Sequence, residues 1–192
     1  CYFGGTALDK AASLPAGAEQ QQSQYLINFL IPIIKGWCTE TANELTSLGV
    51  QVHGGMGFIE ETGAAQYMRD ARITAIYEGT TGIHGMDLIG RKMASEKAVT
   101  LKAVLGEIEG TIGQLAAAGA EFASIKAGLE LSVKSAKEAA EYILANFADN
   151  TKKSAAGSVP FLMLMGITLG GWLLAKSALI AKAKLAAGDS DA

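Results

Sequence analysis

Cysteine, proline and aromatic residues are all scarce in this sequence. The two cysteines, at positions 1 and 38, have neither metal-ligand spacing nor the density of a disulfide framework. That favours a reducing compartment, and a cytoplasmic location is expected. Three prolines and 7% aromatic content suit helices better than the short, turn-punctuated strands of a β-sandwich. No stretch alternates as a strand would, and no internal repeat is evident. No basic block stands out: 16 basic residues face 19 acidic ones, a net charge of −3, so nucleic acid is not an expected partner. His53 and His84 are isolated, and no metal site is expected. No Ser/His/Asp or Cys/His nucleophile arrangement can be drawn. The N-terminus has no basic stretch leading into an apolar run, so no signal peptide is read. Residue 1 is Cys rather than Met, which suggests a piece of a longer polypeptide.

What is present is helix. With 192 residues, 49% of them hydrophobic, the chain can bury a sizeable core in one domain or two small ones. Residues 1–10 read as the tail of a helix, and 11–22, small and polar, as a loop. Leu26, Phe29, Ile33, Trp37, Leu45 and Leu48 follow helical spacing from about Gln24 to Leu48. Pro32 lies inside that stretch, so the helix either kinks there or starts anew. Gly49 and Gly54-Gly55-Met56-Gly57 end it. A short helix over 60–71, an irregular connector over 73–79, and a helix from Thr80 or Thr81 to about Ala94 follow. Past Ser95, Leu101, Val104, Leu105, Ile108, Ile112 and Leu115 make one apolar stripe. Phe122, Ile125, Leu129, Val133, Ala136, Ala140, Ile143 and Phe147 make a cleaner one, with charges on the other faces. Gly119 and Asp149-Asn150 mark breaks.

The last helix is expected from Ser158-Val159-Pro160 to about Leu185. Residues 159–175 carry no charge, near the lower limit of about 17 residues for a membrane span. No aromatic belt flanks the run, and amphipathic helices precede it. The reading is therefore a core helix surrounded by neighbours, with no span. The expected fold is all-α, a helical bundle in two parts: residues 1–95, and a C-terminal helical extension over 96–192.

The chemistry centres on Ile76-Tyr77-Glu78-Gly79-Thr80. A carboxylate held against Ile76 and Tyr77 would lose hydration and become a stronger base. Gly79 has no Cβ, so a ligand can approach its backbone. Thr80 is placed to cap the next helix. The plainer alternative is an acidic residue favoured by the dipole at a helix start. The glycine cluster lacks the dinucleotide spacing. It is either a helix cap with a turn or a set of backbone amides for a pyrophosphate. Arg69, Asp70 and Arg72 read as structural ion-pair formers.

Together the parts say more than each alone. Gln51-x-x-Gly-Gly-x-Gly-Phe58, then Arg69-Asp-Ala-Arg-Ile73, then Ile76-Tyr-Glu-Gly-Thr80 resembles the acyl-CoA dehydrogenase family near its C-terminus. Leu30-Ile-Pro-Ile-Ile-Lys35, Gly79-Thr-Thr-Gly-Ile83 and Asp87-Leu-Ile-Gly-Arg-Lys92 look like the large subgroup related to 3-methylmercaptopropionyl-CoA dehydrogenase. Residues 100–185 look like that subgroup's extra helical region. The resemblance implies that Glu78 is the base removing the α-proton of an acyl-CoA thioester. Its backbone N–H would help hold the thioester carbonyl, as an oxyanion hole does. Gly79 would lie against substrate, and Thr80 and Gly82 would approach FAD. Gln51, Val52, His53, Gly54 and Gly55 would contact FAD bound mainly by a neighbouring subunit. A homodimer or homotetramer is implied, with electron-transfer flavoprotein or a similar acceptor as partner. The segment Glu61–Ala65 lacks the proline usual before the arginine-aspartate block. Gly82 and His84 stand where at least one amide side chain is expected. The N-terminal and middle domains that the family needs are absent from this sequence, so inactivity alone is expected. The rival reading is a non-catalytic helical oligomerisation or interaction module.

Overall fold

The computed structural model describes residues 1–189, and among these there is no strand. Helix α1 (Tyr2–Ser13) turns over residues 14–17 into α2 (Ala18–Val52), a helix of 35 residues. The loop expected over 11–22 is therefore much shorter. Ala18–Gln22 has no apolar period, but Ala, Glu and Gln are good helix formers and begin α2 early. The Gln20 side chain locks the turn by donating to the Ala11 carbonyl at 2.9 Å. Helix α2 continues through Pro32 instead of restarting. An interior proline costs about 3 kcal/mol. Here Phe29, Leu30 and Ile33, all buried around it, offset that cost. Leu45 and Leu48 do not join the buried stripe. They are exposed on the last turns of α2.

After α2 come the single turn α3 (Gly55–Phe58), a 3-10 turn (Glu60–Thr62) and α4 (Ala64–Thr74). Helix α5 (Thr81–Asp87) runs into a π-helical segment, Leu88–Ala94. The wider winding is visible where the Ser95 N–H donates to the Gly90 carbonyl at 3.1 Å and the Ala98 N–H to the Met93 carbonyl at 2.8 Å. It brings residues five apart towards one face, so Leu88, Ile89 and Met93 all point inward and are fully buried.

A turn with Lys97 and Ala98 at positive φ leads to α6 (Val99–Ala118). A 3-10 turn (Ala120–Phe122), α7 (Ala123–Phe147), α8 (Thr151–Ala156) and α9 (Ser158–Ala186) follow. The break at Asp149-Asn150 holds a short helix of its own, because the Asn150 side chain accepts from the Lys153 N–H at 3.0 Å and caps α8.

Helix α9 is the central element, packed against α2, α5, α6 and α7. Among the described residues it is the one helix long and apolar enough to cross a membrane, and half of its most apolar window is buried inside the protein. Gly166 explains its close approach to α2: a Cβ there would collide with the Trp37 ring. Trp172, buried on the same helix, donates its indole N–H to the Thr111 hydroxyl of α6 at 2.7 Å. It also meets Phe3 of α1 edge-on at 5.4 Å. One hydrophobic cluster runs from Ala7 to Ala175, through both sides of the Ser95–Ala98 turn.

Candidate active site

The site is built on the middle of α2. Helix α4 lies against α2, and the chain leaving α4 turns at Tyr77–Gly79 before α5 docks on α2 and α9. Glu78 takes φ 57° and Gly79 φ 94°. Glycine adopts such a backbone freely, whereas a side-chain-bearing residue does so at a cost of about 1–2 kcal/mol. The surroundings hold Glu78 there. Lys35 Nζ donates to the Gly79 carbonyl at 2.5 Å. The His84 Nε2 lies 3.2 Å from the Glu78 carbonyl. The Thr81 hydroxyl donates to the Glu40 carboxylate on the next turns of α2.

Two expectations are corrected. Ile76 and Tyr77 are 47% and 51% exposed and Glu78 is exposed too, so this chain alone does not form the dehydrated setting predicted for the carboxylate. Thr80 does stand at the N-cap position of α5, but its side chain makes no capping bond, while the neighbouring Thr81 hydroxyl donates to Glu40. Among the described residues the Glu78 carboxylate has no hydrogen-bond or ion-pair partner. Glu40, Asn43, Arg72, Ile76, Thr80 and Gly82 line an open cleft of about 460 Å³, to which Glu78 and Gly79 do not themselves contribute.

The other predicted cofactor contacts lie elsewhere. Gln51, Val52, His53, Gly54 and Gly55 form the exposed end of α2, where Gly54 breaks the helix at φ 60°. His53 folds back, its Nδ1 2.9 Å from the Gly49 carbonyl. At about 1.5 Å of rise per residue, Lys35 and Gln51 stand about 24 Å apart along α2. The structure thus unites Glu78, Gly79, Thr80 and Gly82, and keeps Gln51–Gly55 apart from them.

Arg69 does form a structural pair, with its two terminal nitrogens 2.7 and 2.8 Å from the Glu60 carboxylate oxygens. The hydrogen bond from Arg69 holds the Glu60 carboxyl below the usual carboxylate range, and Glu60 raises the Arg69 guanidinium in turn. Among the described residues no cluster fit to bind a metal occurs.

Residues 7–94 match the family described as acyl-CoA dehydrogenase, C-terminal domain. Residues 104–192 match the acetyl-CoA dehydrogenase C-terminal like family. The chain belongs to the acyl-CoA dehydrogenase family. Over 96% of its length it is 46% identical to a 3-methylmercaptopropionyl-CoA dehydrogenase of Ruegeria pomeroyi, covering 31% of that protein. Over 92% it is 34% identical to a broad-specificity linear acyl-CoA dehydrogenase of Mycobacterium tuberculosis, covering 30% of it. A butyryl-CoA dehydrogenase of Syntrophomonas wolfei shares 31% identity over 53% of the chain, 17% of that protein. The chain thus spans about a third of the first two relatives, and both sides of the Ser95–Ala98 turn carry family sequence.

Sequence reasoning missed Lys35, Glu40 and Thr81 as supports of the Glu78 turn. The one available signal was charge: Lys35 is a lone cation inside the apolar run from Leu30 to Trp37.

Proposed function

We propose that this chain supplies the proton-abstracting base and one edge of the flavin site of an FAD-dependent acyl-CoA dehydrogenase. The observation that carries the reading is Glu78: a free carboxylate on a backbone turn braced from α2 and α5, at the position the family motif assigns to the base. Its carboxylate takes the α-proton of an acyl-CoA thioester. Its backbone N–H would face the thioester carbonyl, where charge develops as the proton leaves, and Gly79 would lie against the substrate by its backbone, its Cβ side being closed by His84 and Ile83. The chemistry supplied by bound FAD would be that of a hydride acceptor for the β-hydrogen, which balances loss of the α-proton to Glu78 and leaves the α,β-double bond.

The residues present suit that cofactor. A Cβ built at Gly54, Gly55 or Gly82 would have no heavy atom within 4 Å, so their backbones stand open to a ligand. Thr80 and Gly82 would hold the flavin near Glu78. Gln51, Val52, His53, Gly54 and Gly55, about 12–16 Å along α2 from the Glu40 and Asn43 turns that flank Thr80 and Gly82, would hold the flavin of a neighbouring subunit. On that reading the assembly is a homodimer or homotetramer. Electron-transfer flavoprotein or a similar acceptor would take the electrons. We place the protein in the cytoplasm, with α9 a core helix rather than a membrane span. The chain by itself, lacking the rest of the pocket, is inactive. A purely structural interaction module has no need to hold a glutamate at φ 57° on a turn braced from α2 and α5, which counts against that alternative.

The test is Glu78→Gln in the full-length flavoenzyme. Turnover should fall by about 10²–10⁴-fold while flavin content is retained. Unchanged turnover would remove Glu78 as the base. Bound flavin with acyl-CoA turnover in the isolated chain would overturn the statement that it is inactive alone.

A further inference from the structure

Lys35 is the only cation in α2. It is half-buried in an apolar stretch between Ile34 and Gly36, and among the described residues its ammonium makes no ion pair. Its proton donor is used instead on a backbone: Nζ reaches the Gly79 carbonyl at 2.5 Å, 44 positions along the chain. The ammonium also lies 6.0 Å from the centre of the Tyr77 ring. A charged donor to a carbonyl makes a stronger hydrogen bond than a neutral one.

The consequence follows from peptide geometry. The Gly79 carbonyl and the Thr80 N–H belong to one planar trans unit and point in opposite directions. An oxygen held against α2 directs the Thr80 N–H away from α2. On the other side of Gly79, His84 lies 3.2 Å from the Glu78 carbonyl, which sets the plane carrying the Gly79 N–H. Thr81 is tied to Glu40 one residue beyond Thr80. Three side chains therefore fix consecutive units of the turn, and Lys35 is the one that bridges directly from α2 to the residue after Glu78.

We propose that Lys35 is a positioning residue for the reaction: it fixes the Glu78–Thr80 backbone, and through it the direction of the Glu78 carboxylate and of the Thr80 N–H. The inference rests on Glu78 being the base. It extends that reading by naming a distant lysine as the support that orients both the proton-accepting group and the neighbouring amide.

The experiment compares Lys35→Met and Lys35→Arg in the full-length flavoenzyme, with two readouts. Hydrogen exchange is followed at the Ile76, Tyr77 and His84 amides, which donate to the Ile73, Ile73 and Thr80 carbonyls. In Lys35→Met these should exchange at least about tenfold faster, while α6–α9 keep their protection. Turnover should fall by about 10–100-fold with KM and flavin content little changed, as expected of a misplaced group. Lys35→Arg, which keeps the charged donor, should restore most of both properties. Unchanged exchange in Lys35→Met overturns the proposal. So does faster exchange throughout the molecule, which would make Lys35 a general stability residue. So does Lys35→Arg failing to restore either readout. Glu78→Gln in parallel separates the two ideas: if it keeps full turnover the base assignment fails, and the exchange readout still decides whether Lys35 braces the turn.

Discussion

Residues 51–83 and the helices α6 to α9 obey opposite packing rules. In α6, α7 and α9 each helix buries an apolar stripe against its neighbours, and Trp172, Ile108 and Leu162 are almost wholly enclosed. In α4 no residue is buried. Around it Val52 and Phe58 are 85% and 81% exposed, with Met56, Tyr67, Ile73 and Ile76 also open. Single exposed apolar residues are ordinary, but a cluster of this size on one segment marks a surface that meets something else. The lesson is that a core shared by α1, α2, the π segment and α6–α9 supplies the stability, while the motif-bearing segment is carried on α2 as an outrigger. The residues with chemistry are those the core does not consume.

This contrast can be tested in order of effect. Trp172→Ala, in the enclosed region, should destabilise the chain by about 3–5 kcal/mol, because it opens a cavity and leaves the Thr111 hydroxyl without its donor. Urea unfolding would measure it, and a loss under about 1 kcal/mol would show that α9 is not the central element. Gly166→Ala should cost about 2 kcal/mol, since Trp37 must move aside for the new methyl group. A thermal melt equal to that of the parent would contradict the close α2–α9 contact. Phe58→Ser, in the exposed segment, should change stability by no more than about 0.5 kcal/mol while reducing self-association seen by sedimentation.

The smallest effect concerns acid. The folded Glu60 carboxyl titrates below its unfolded value. The Arg69 pair therefore contributes fully above the ordinary carboxylate range and is lost as pH falls through the depressed folded value. Glu60→Gln should flatten that part of the acid unfolding curve. An unchanged curve would show that the pair adds nothing at this exposed site.

Legibility in the sequence follows the same division. The stripe from Phe122 to Phe147 was plain, and six of its eight members are buried. Ile125 is partly open and Phe147 half-buried, as befits residues at the helix ends. The all-α fold and the α9 boundaries were readable for the same reason: periodic burial leaves a periodic trace. The motif around Glu78, the base proposed above, is contiguous and stands out in the sequence. The braces of its turn do not, since Lys35 and Glu40 lie 44 and 41 positions from their partners and only tertiary packing joins them. The π segment left no trace either. Leu88, Ile89 and Met93 fit an α-helical reading until the backbone is seen. The early start of α2 was hidden because propensity without apolar spacing is a weak signal.

Helix α2 also works as a ruler. Its 35 residues extend about 52 Å, with Lys35 and Glu40 bracing one group of candidate ligand contacts and Gln51–Gly55 presenting the other. Both the distance and the angular phase between the two groups are written in residue count. One residue inserted between Glu40 and Gln51 would lengthen the gap by only about 1.5 Å but swing the glycine turn by about 100° around the axis. Seven inserted residues would nearly restore the phase while adding about 10 Å. The spacing between the two groups is thus set in steps of the helix pitch. Length changes in this stretch would be tolerated in steps rather than continuously.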